Sequence, residues 1–365
     1  MVADLFLLGV SFLVIILGAE LFTNGVEWLG VRLRLPEGAV GSVLAAVGTA
    51  LPETVIPFVA LLFFREANSH EIGLGAILGA PFMLATLAFA VTAAAVWIYR
   101  RRREAGARLV LDREIVVRDF GFFLPMYAAA IGVSFAPIGH WARWAVAVAL
   151  LGGYVLYVWL NFRESGETRK TEPLMFNLVW AYVPLVWRNP DAHAERRGAV
   201  GLTPPRLRAC VGQVGVALCL IIGGAYQFVG ATRELTAMLG LSPLLFTLIV
   251  APIATELPEK LNSVIWVRQG KDTLALGNIS GAMVFQSTFP VTLGILLTDW
   301  HFQGMAGGNA VMLSAAIALA SAALVLVTVR LGKAETVSPW PLAVGLVWWL
   351  VFLGYVVSSG MGSAA

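Results

Sequence analysis

Two segments of the sequence place a proline and a glutamate together inside an apolar run: AVGTALPETV at 46–55 and PIATELPEKL at 252–261. Proline has no amide hydrogen, so it leaves the backbone carbonyl four residues earlier without its helical partner. In a membrane such a carbonyl must find another partner, and a bound cation can serve as one. Each segment also supplies a carboxylate, so both offer the hard oxygen ligands that Na⁺ and Ca²⁺ prefer.

Two glutamates and two threonines are the candidate ligands. Glu53 and Glu259 follow the prolines, and Thr49 and Thr255 stand four residues earlier, where a continuous helix would place them on the same face. An ionisable residue inside a membrane span is a functional candidate, and here the feature occurs twice. We therefore predict a site for inorganic cations built from Glu53, Glu259, Thr49 and Thr255.

The composition indicates that a membrane must hold these residues. Of the 365 residues, 59% are hydrophobic and 13% are charged, whereas a soluble domain carries about a quarter charged residues. The apolar residues occur in runs of about 20, the length that crosses the hydrocarbon core as a helix. We expect an all-α, polytopic membrane protein whose surroundings are the lipid bilayer, with no nucleic-acid partner and an unknown oligomeric state.

The hydrophobic runs predict ten membrane spans. With the N-terminus outside, 21 of the 25 Lys and Arg residues fall in the loops on the cytoplasmic side, as the positive-inside rule requires. We therefore expect both termini to be extracytoplasmic and the protein to reside in the cell membrane. The predicted spans are 5–25, 37–64, 72–99, 117–138, 142–162, 208–231, 242–267, 273–298, 307–329 and 338–358.

The chain is predicted to divide into two halves joined by a basic linker. The first five-helix repeat covers 1–162, the cytoplasmic linker 163–207, and the second repeat 208–365. Within the linker, the apolar segment 174–187 is short and contains Pro184. It is typical of an interfacial helix, and an eleventh span is the alternative.

A shift of 206 residues aligns the two halves. Without a gap, Gly18-Ala19 meets Gly224-Ala225, and Leu51-Pro52-Glu53 meets Leu257-Pro258-Glu259. After a four-residue deletion, LGAILGA at 74–80 meets LGNISGA at 276–282, and both contain the G-x-x-x-G pattern of close helix packing. Five spans separate equivalent positions, so the repeats should cross the membrane in opposite directions, as in many secondary transporters.

These motifs resemble those of the calcium/cation antiporter superfamily, that is, sodium/calcium exchanger-type membrane proteins. The family's alpha-repeats carry a G-T-S-L-P-E-type motif and a following G-N-x-x-G-S-N-x-x-N/D motif. GTALPE and IATELPE resemble the first, and GAILGAPFML and GNISGAMVFQ the second more loosely, which places the alpha-1 motif at 41–84 and the alpha-2 motif at 247–287. The resemblance implies that Glu53 and Glu259 are the central cation ligands. It also implies that spans 2, 3, 7 and 8 form a core along which spans 1 and 6 slide.

Several positions depart from the family pattern. The motif serine is Ala50 in the first repeat and Glu256 in the second, and the Asn/Asp position of the following span is Leu84 and Gln286. Oxygen ligands are therefore lost mainly from the first repeat. By the resemblance, Gln286 joins the candidate ligands, and Glu256 is an additional carboxylate beside them.

Glu256 and Lys260 stand four residues apart, with the acidic residue first, which is the favourable order for an ion pair on a helix. In one hypothesis Lys260 neutralises Glu256, and the site keeps a formal charge of −2 from Glu53 and Glu259. In the other, Glu256 is itself a ligand or a proton carrier, and Lys260 extends toward the cytoplasmic interface.

The predicted function is secondary-active antiport, with Ca²⁺ exported in exchange for Na⁺ by alternating access. The alternatives are a proton-coupled exchanger of Ca²⁺ or another cation on the same scaffold, or a degenerate member with weak transport. The sequence contains none of the H-E-x-x-H or G-x-S-x-G motifs of hydrolases. We therefore expect no enzymatic activity and no cofactor, only transported ions: Ca²⁺, and Na⁺ or H⁺.

Overall fold

A computed structural model of the chain describes residues 2–32, 50–64, 67–135, 139–164, 206–332 and 336–358. Within these ranges, eight helical segments are long and apolar enough to cross a membrane. The prediction of a polytopic helical membrane protein is therefore confirmed. The predicted interfacial segment at 174–187, most of the linker, and Thr49 lie outside the described residues.

The described helices follow the predicted spans, with several interruptions. The segments before the linker are α1 (Val2–Arg32), α2 (Leu51–Leu62), α3 (Ala67–Met83), a π-helical turn (Leu84–Ala88), α4 (Phe89–Tyr99), α5 (Arg113–Gly132) and α6 (His140–Glu164). Those after it are α7 (Leu207–Leu239), α8 (Pro243–Thr255), α9 (Leu257–Arg268), α10 (Asp272–Gln286), α11 (Phe289–Leu297), α12 (Gly308–Leu331) and α13 (Trp340–Ser358).

The all-α prediction omitted one small sheet. Strand β1 (Leu109–Val110) pairs in antiparallel fashion with β2 (Thr336–Val337) at one end of the bundle. A buried ion pair between Arg103 and Asp272 supports it, and Asp272 also accepts a hydrogen bond of 2.8 Å from the Val110 amide. These contacts connect the arginine-rich turn after α4 to the beginning of α10.

Helices α1 and α7, which the 206-residue shift predicts to be equivalent, pack against each other in antiparallel directions. A Cβ added at Gly18 would lie 2.7 Å from Ile221, and one added at Gly224 would lie 2.8 Å from Ile15. These two contacts are interchanged by the 206-residue shift. The two equivalent helices therefore meet through equivalent residues, and only glycine allows them to approach so closely.

A second close approach joins α3 to α8. A Cβ on Gly75 would lie 2.4 Å from the Leu244 carbonyl oxygen, and one on Gly79 would lie 2.3 Å from that of Leu248. The G-x-x-x-G pattern at 75–79 thus marks a backbone-to-backbone contact between a helix of the first half and a helix of the second. This contact joins α3, which follows the helix that carries Glu53, to α8, which precedes the helix that carries Glu259.

Candidate cation site

The two Leu-Pro-Glu segments each begin a new half-helix. Helix α2 starts at Leu51 and α9 at Leu257, and the residues before them have nearly the same conformation: Ala50 has φ −86° and ψ 4°, and Glu256 has φ −90° and ψ 11°. Proline fits the first turn of a helix because the amide hydrogens there have no intrahelical acceptor. The prolines therefore mark the start of α2 and α9.

This geometry corrects one expectation. Thr255 and Glu259 were predicted to share one face of a continuous helix, but Thr255 ends α8, Glu256 forms a turn, and Glu259 lies in the first turn of α9. The predicted single span at 242–267 is accordingly two helices. The proline ends the regular hydrogen-bond ladder, and the threonine and the glutamate approach the site from different segments.

Glu53 and Glu259 occupy the same place in their half-helices, the third residue of the first turn. Glu259 is fully buried and Glu53 is 3% exposed. The beginning of a helix carries a partial positive charge from its free amide groups, which stabilises a carboxylate there. Two half-helix starts therefore hold acidic side chains in the interior of the bundle.

The structure brings carboxylates from both halves of the chain together. Glu53 lies close enough to Glu259 and to Glu256 for direct electrostatic repulsion, and Thr255 is its neighbour as well. Among the described residues, neither carboxylate oxygen of Glu53 accepts a hydrogen bond of ordinary length. Four of the six predicted site residues thus share one buried region, and its charge is predominantly negative.

Thr255 is oriented as an acceptor toward its surroundings. Its hydroxyl donates to the Ala251 carbonyl at 3.1 Å, and the side chain is 2% exposed. A hydroxyl group has one hydrogen, so the lone pairs of Oγ1 remain available to a cation. This oxygen is a neutral candidate ligand beside the carboxylates.

Glu256 and Lys260 form the predicted ion pair, with Lys260 Nζ 3.4 Å from Glu256 Oε2. The ammonium group also donates to the Pro252 carbonyl at 3.0 Å. Lys260 is 6% exposed and Glu256 is fully buried. Since the lysine side chain points back across the helix break toward α8, it does not extend along α9 toward the interface.

Gln286 is the last residue of α10 and is fully buried. Its amide forms no hydrogen bond with any described residue, so the structure does not connect it to Glu53 or Glu259. In the first half, the position equivalent to Gln286 begins the π-helical turn at Leu84–Ala88. Both halves thus interrupt the α-helix where the family motif carries its last polar residue, a feature common at functional sites.

Across the described ranges, no group of three or more His, Cys, Asp or Glu side chains is arranged to hold a metal ion. The three glutamates therefore influence one another electrostatically without forming a closed coordination shell. An ion entering between Glu53 and Glu259 would find carboxylates from two helices, together with the Thr255 hydroxyl.

The family model described as "Sodium/calcium exchanger protein" matches residues 4–163 and 210–359, most of the chain. The chain belongs to this family. Among curated relatives of this exchanger-family chain is the "Putative antiporter CaxA" of Alkalimonas amylolytica, 25% identical over 97% of the chain and 98% of the relative. Another is "Inner membrane protein YrbG" of Escherichia coli (strain K12), 24% identical over 82% of each.

Solved exchanger structures share the fold. The H⁺/Ca²⁺ exchanger CAX matches with a TM-score of 0.70 and 16% identity, covering 98% of this chain and 85% of CAX. The sodium-calcium exchanger NCX_Mj, in a crystal soaked with 2.5 mM Na⁺ and 0.1 mM Sr²⁺, matches with a TM-score of 0.56 and 15% identity, covering 96% and 99%. At these identities the likeness establishes the exchanger architecture.

One buried acidic residue of this exchanger-family chain lies outside the sequence motifs. Asp119 on α5 accepts hydrogen bonds from the Ser280 hydroxyl of α10 at 2.5 Å and from the Tyr157 hydroxyl of α6 at 3.0 Å. It is 1% exposed. The signal was present, because Asp119 is an acidic residue inside the predicted span 117–138. The network joins α5 and α6 to α10, the helix that ends at Gln286.

Proposed function

We propose that this protein is a secondary-active antiporter that exports Ca²⁺ in exchange for Na⁺ by alternating access to one carboxylate site. The observation that carries the proposal is the burial of Glu53 and Glu259, one from each half, at the starts of two half-helices within electrostatic reach of each other. Paired carboxylates in the interior of a membrane protein are favourable only with a neutralising partner. A transported divalent cation is such a partner.

The proposal includes the full topology: ten spans in two inverted repeats, 1–162 and 208–365, joined by a cytoplasmic linker at 163–207. The antiparallel contact of α1 with α7 supports it, because equivalent helices of inverted repeats must run in opposite directions. The arginine-rich turn after α4, the beginning of α10 and the end of α12 meet at one end of the bundle. Basic residues concentrated at one end fit a cytoplasmic location in the cell membrane, with both termini outside.

In this proposal the ligands are Glu53 and Glu259, with Thr49, Thr255 and Gln286 as neutral oxygen donors. Glu256 lies beside them, paired with Lys260. The protein binds and releases ions without a cofactor and without chemical conversion of a substrate.

Proton coupling is the second candidate, and a specific residue favours it. Glu256 supplies a third carboxylate where the family motif has a serine, and Glu53 is within electrostatic reach of it. A carboxylate can carry a proton, whereas a serine hydroxyl serves only as a neutral ligand. Glu256 is therefore the residue that would distinguish H⁺ coupling from Na⁺ coupling.

Flux in proteoliposomes tests both candidates. Vesicles containing the purified protein are loaded with Na⁺, or given a pH gradient at constant Na⁺, and Ca²⁺ entry is followed with a trapped indicator. Glu53→Gln and Glu259→Gln should each lower uptake at least about 30-fold. Each variant removes a carboxylate that pairs with the bound Ca²⁺, and the loss of one partner of a buried charge pair costs about 2–5 kcal/mol. Glu114→Gln, on an exposed residue at the beginning of α5, is the matched control and should transport normally.

The driving gradient separates the outcomes. Uptake that depends on internal Na⁺ supports the first candidate, and uptake that depends only on the pH gradient replaces it with the second. Uptake driven by neither gradient, or unchanged in both Gln variants, would refute antiport at this site.

A further inference from the structure

The two halves of the site differ most at one helical turn. The 206-residue shift aligns Ala50 with Glu256 and Thr54 with Lys260. In the first half the turn is neutral, and the Thr54 hydroxyl donates to the Ala50 carbonyl at 3.2 Å. In the second half the same two positions carry a buried carboxylate and a buried ammonium group. The second half has therefore gained a negative and a positive charge together.

The Lys260 ammonium group contacts oxygen atoms of the kind that bind cations. Its two described contacts are a backbone carbonyl oxygen, that of Pro252 at 3.0 Å, and a carboxylate oxygen of Glu256 at 3.4 Å. One belongs to α8 and the other to the turn between α8 and α9. Carbonyl and carboxylate oxygens converging at a helix break are the donors that broken membrane helices present to Na⁺ in transporters.

The same ammonium group sits beside the predicted ligands. Lys260 directly follows Glu259, and the carboxylate that it contacts, Glu256, is itself within electrostatic reach of Glu53 and Glu259. The three glutamates contribute a formal charge of −3 when ionised, and Lys260 reduces this to −2. By neutralising one carboxylate, Lys260 limits the number of mobile cations that the other two can bind.

We propose that Lys260 is a tethered cation that fills one cation position of the site in every state of the transport cycle. It thereby fixes the mobile charge of the site at one Ca²⁺ or two monovalent ions. This inference rests on the proposed function, because it concerns the number of ions exchanged at that site. Without Lys260, the vacated oxygens would accept one additional monovalent cation.

The test counts the monovalent ions that the purified full-length protein binds in the absence of Ca²⁺. The ion is the one that drives wild-type uptake: bound Na⁺ is counted by equilibrium dialysis, or bound H⁺ by potentiometric titration. The bound ions should balance the formal charge of the buried site. The wild type should therefore bind about two ions, and Lys260→Thr about three.

The first half supplies the matched control. Glu256→Ala/Lys260→Thr converts the turn to the residues of its repeat mate, removes both buried charges and restores the formal charge of −2. It should return the number of bound monovalent ions to about two. This variant buries no unpaired charge, so it keeps the inference testable if Lys260→Thr does not fold. Lys271→Thr, on the exposed lysine before α10, should match the wild type.

A count of bound ions that stays at the wild-type value in Lys260→Thr would overturn the inference. So would a double variant whose count differs from that of the wild type by a full ion. These outcomes are separate from failure of the proposed function, in which the wild type neither binds Ca²⁺ nor exchanges it.

Discussion

Gly79 on α3 gives the sharpest structural prediction, because no side chain can move to relieve a substitution there. In Gly79→Ala the new Cβ would lie 2.3 Å from the Leu248 carbonyl oxygen and 2.9 Å from a ring carbon of Pro252. Real Cβ contacts essentially never fall below 3.0 Å. Helices α3 and α8 must therefore separate by about 0.7 Å or more.

The expected effect has two parts. Overpacking of a tightly packed contact costs about 1–3 kcal/mol, which corresponds to a fall in apparent melting temperature on the order of 2–6 °C. Helix α8 also ends at Thr255, so its displacement shifts a proposed ligand relative to Glu53. A misplacement of about 1 Å can lower a rate roughly 100-fold, and we expect Ca²⁺ uptake to fall by at least about tenfold.

Melting of the detergent-purified protein, followed by tryptophan fluorescence, measures the first part, and proteoliposome flux the second. Gly152→Ala is the control, because Gly152 on α6 is exposed and its Cβ would meet no described atom within 4 Å. If Gly79→Ala melted within 1 °C of Gly152→Ala and transported normally, the contact between α3 and α8 would neither stabilise the protein nor position Thr255.

Three further predictions concern stability, ligand binding and helix packing. Arg103→Met leaves Asp272 buried without its cationic partner and should destabilise the protein by about 3–5 kcal/mol, measured by thermal melting; an unchanged melting temperature would contradict this. Ca²⁺ at 100 times its dissociation constant for the wild type should stabilise the wild type by about 2.7 kcal/mol, and chelation should reverse this. An equal stabilisation of Glu53→Gln at the same Ca²⁺ concentration would exclude Glu53 as a ligand. Gly224→Ala should slow Ca²⁺ flux more than Gly223→Ala, because only Gly224 contacts α1 closely.

The sequence predicted the two helix breaks better than the geometry of the residues around them. Pro52 and Pro258 identified two helix breaks, because the loss of an amide hydrogen is local and can be read from the residue type alone. The sequence did not predict on which side of the break each candidate ligand would lie. Thr255 and Glu259 were therefore assigned to one helical face, although they belong to different helices.

The interruptions after α3 and α10 were not predictable either. Residues 84–88 read as an uninterrupted apolar helix, yet they form a π-helical turn. The carbonyl of Ala85 accepts a hydrogen bond from Ser321 at 2.6 Å, and the Thr86 carbonyl lies against Gly345. Such contacts come from helices far away in sequence, so hydrophobic periodicity contains no signal for them.

Asp119 and Arg103 show the same limit. Each was visible as a charged residue within or beside an apolar run, but their partners lie more than 30 residues away in the chain. Asp119 contacts Tyr157 and Ser280, and Arg103 contacts Asp272. Charge inside a hydrophobic run therefore indicated that a partner must exist, and the three-dimensional structure was needed to identify it.

The contact between α1 and α7 has a consequence for the direction of exchange. Because Gly18 meets Ile221 as Gly224 meets Ile15, displacing one helix along the other alters the two contacts in an equivalent way whichever way it moves. In the proposed antiporter the two halves contribute equally to this interface, so the interface itself favours neither the inward-facing nor the outward-facing state. The net direction of exchange would then follow the two ion gradients, and the protein would run in reverse whenever those gradients were reversed.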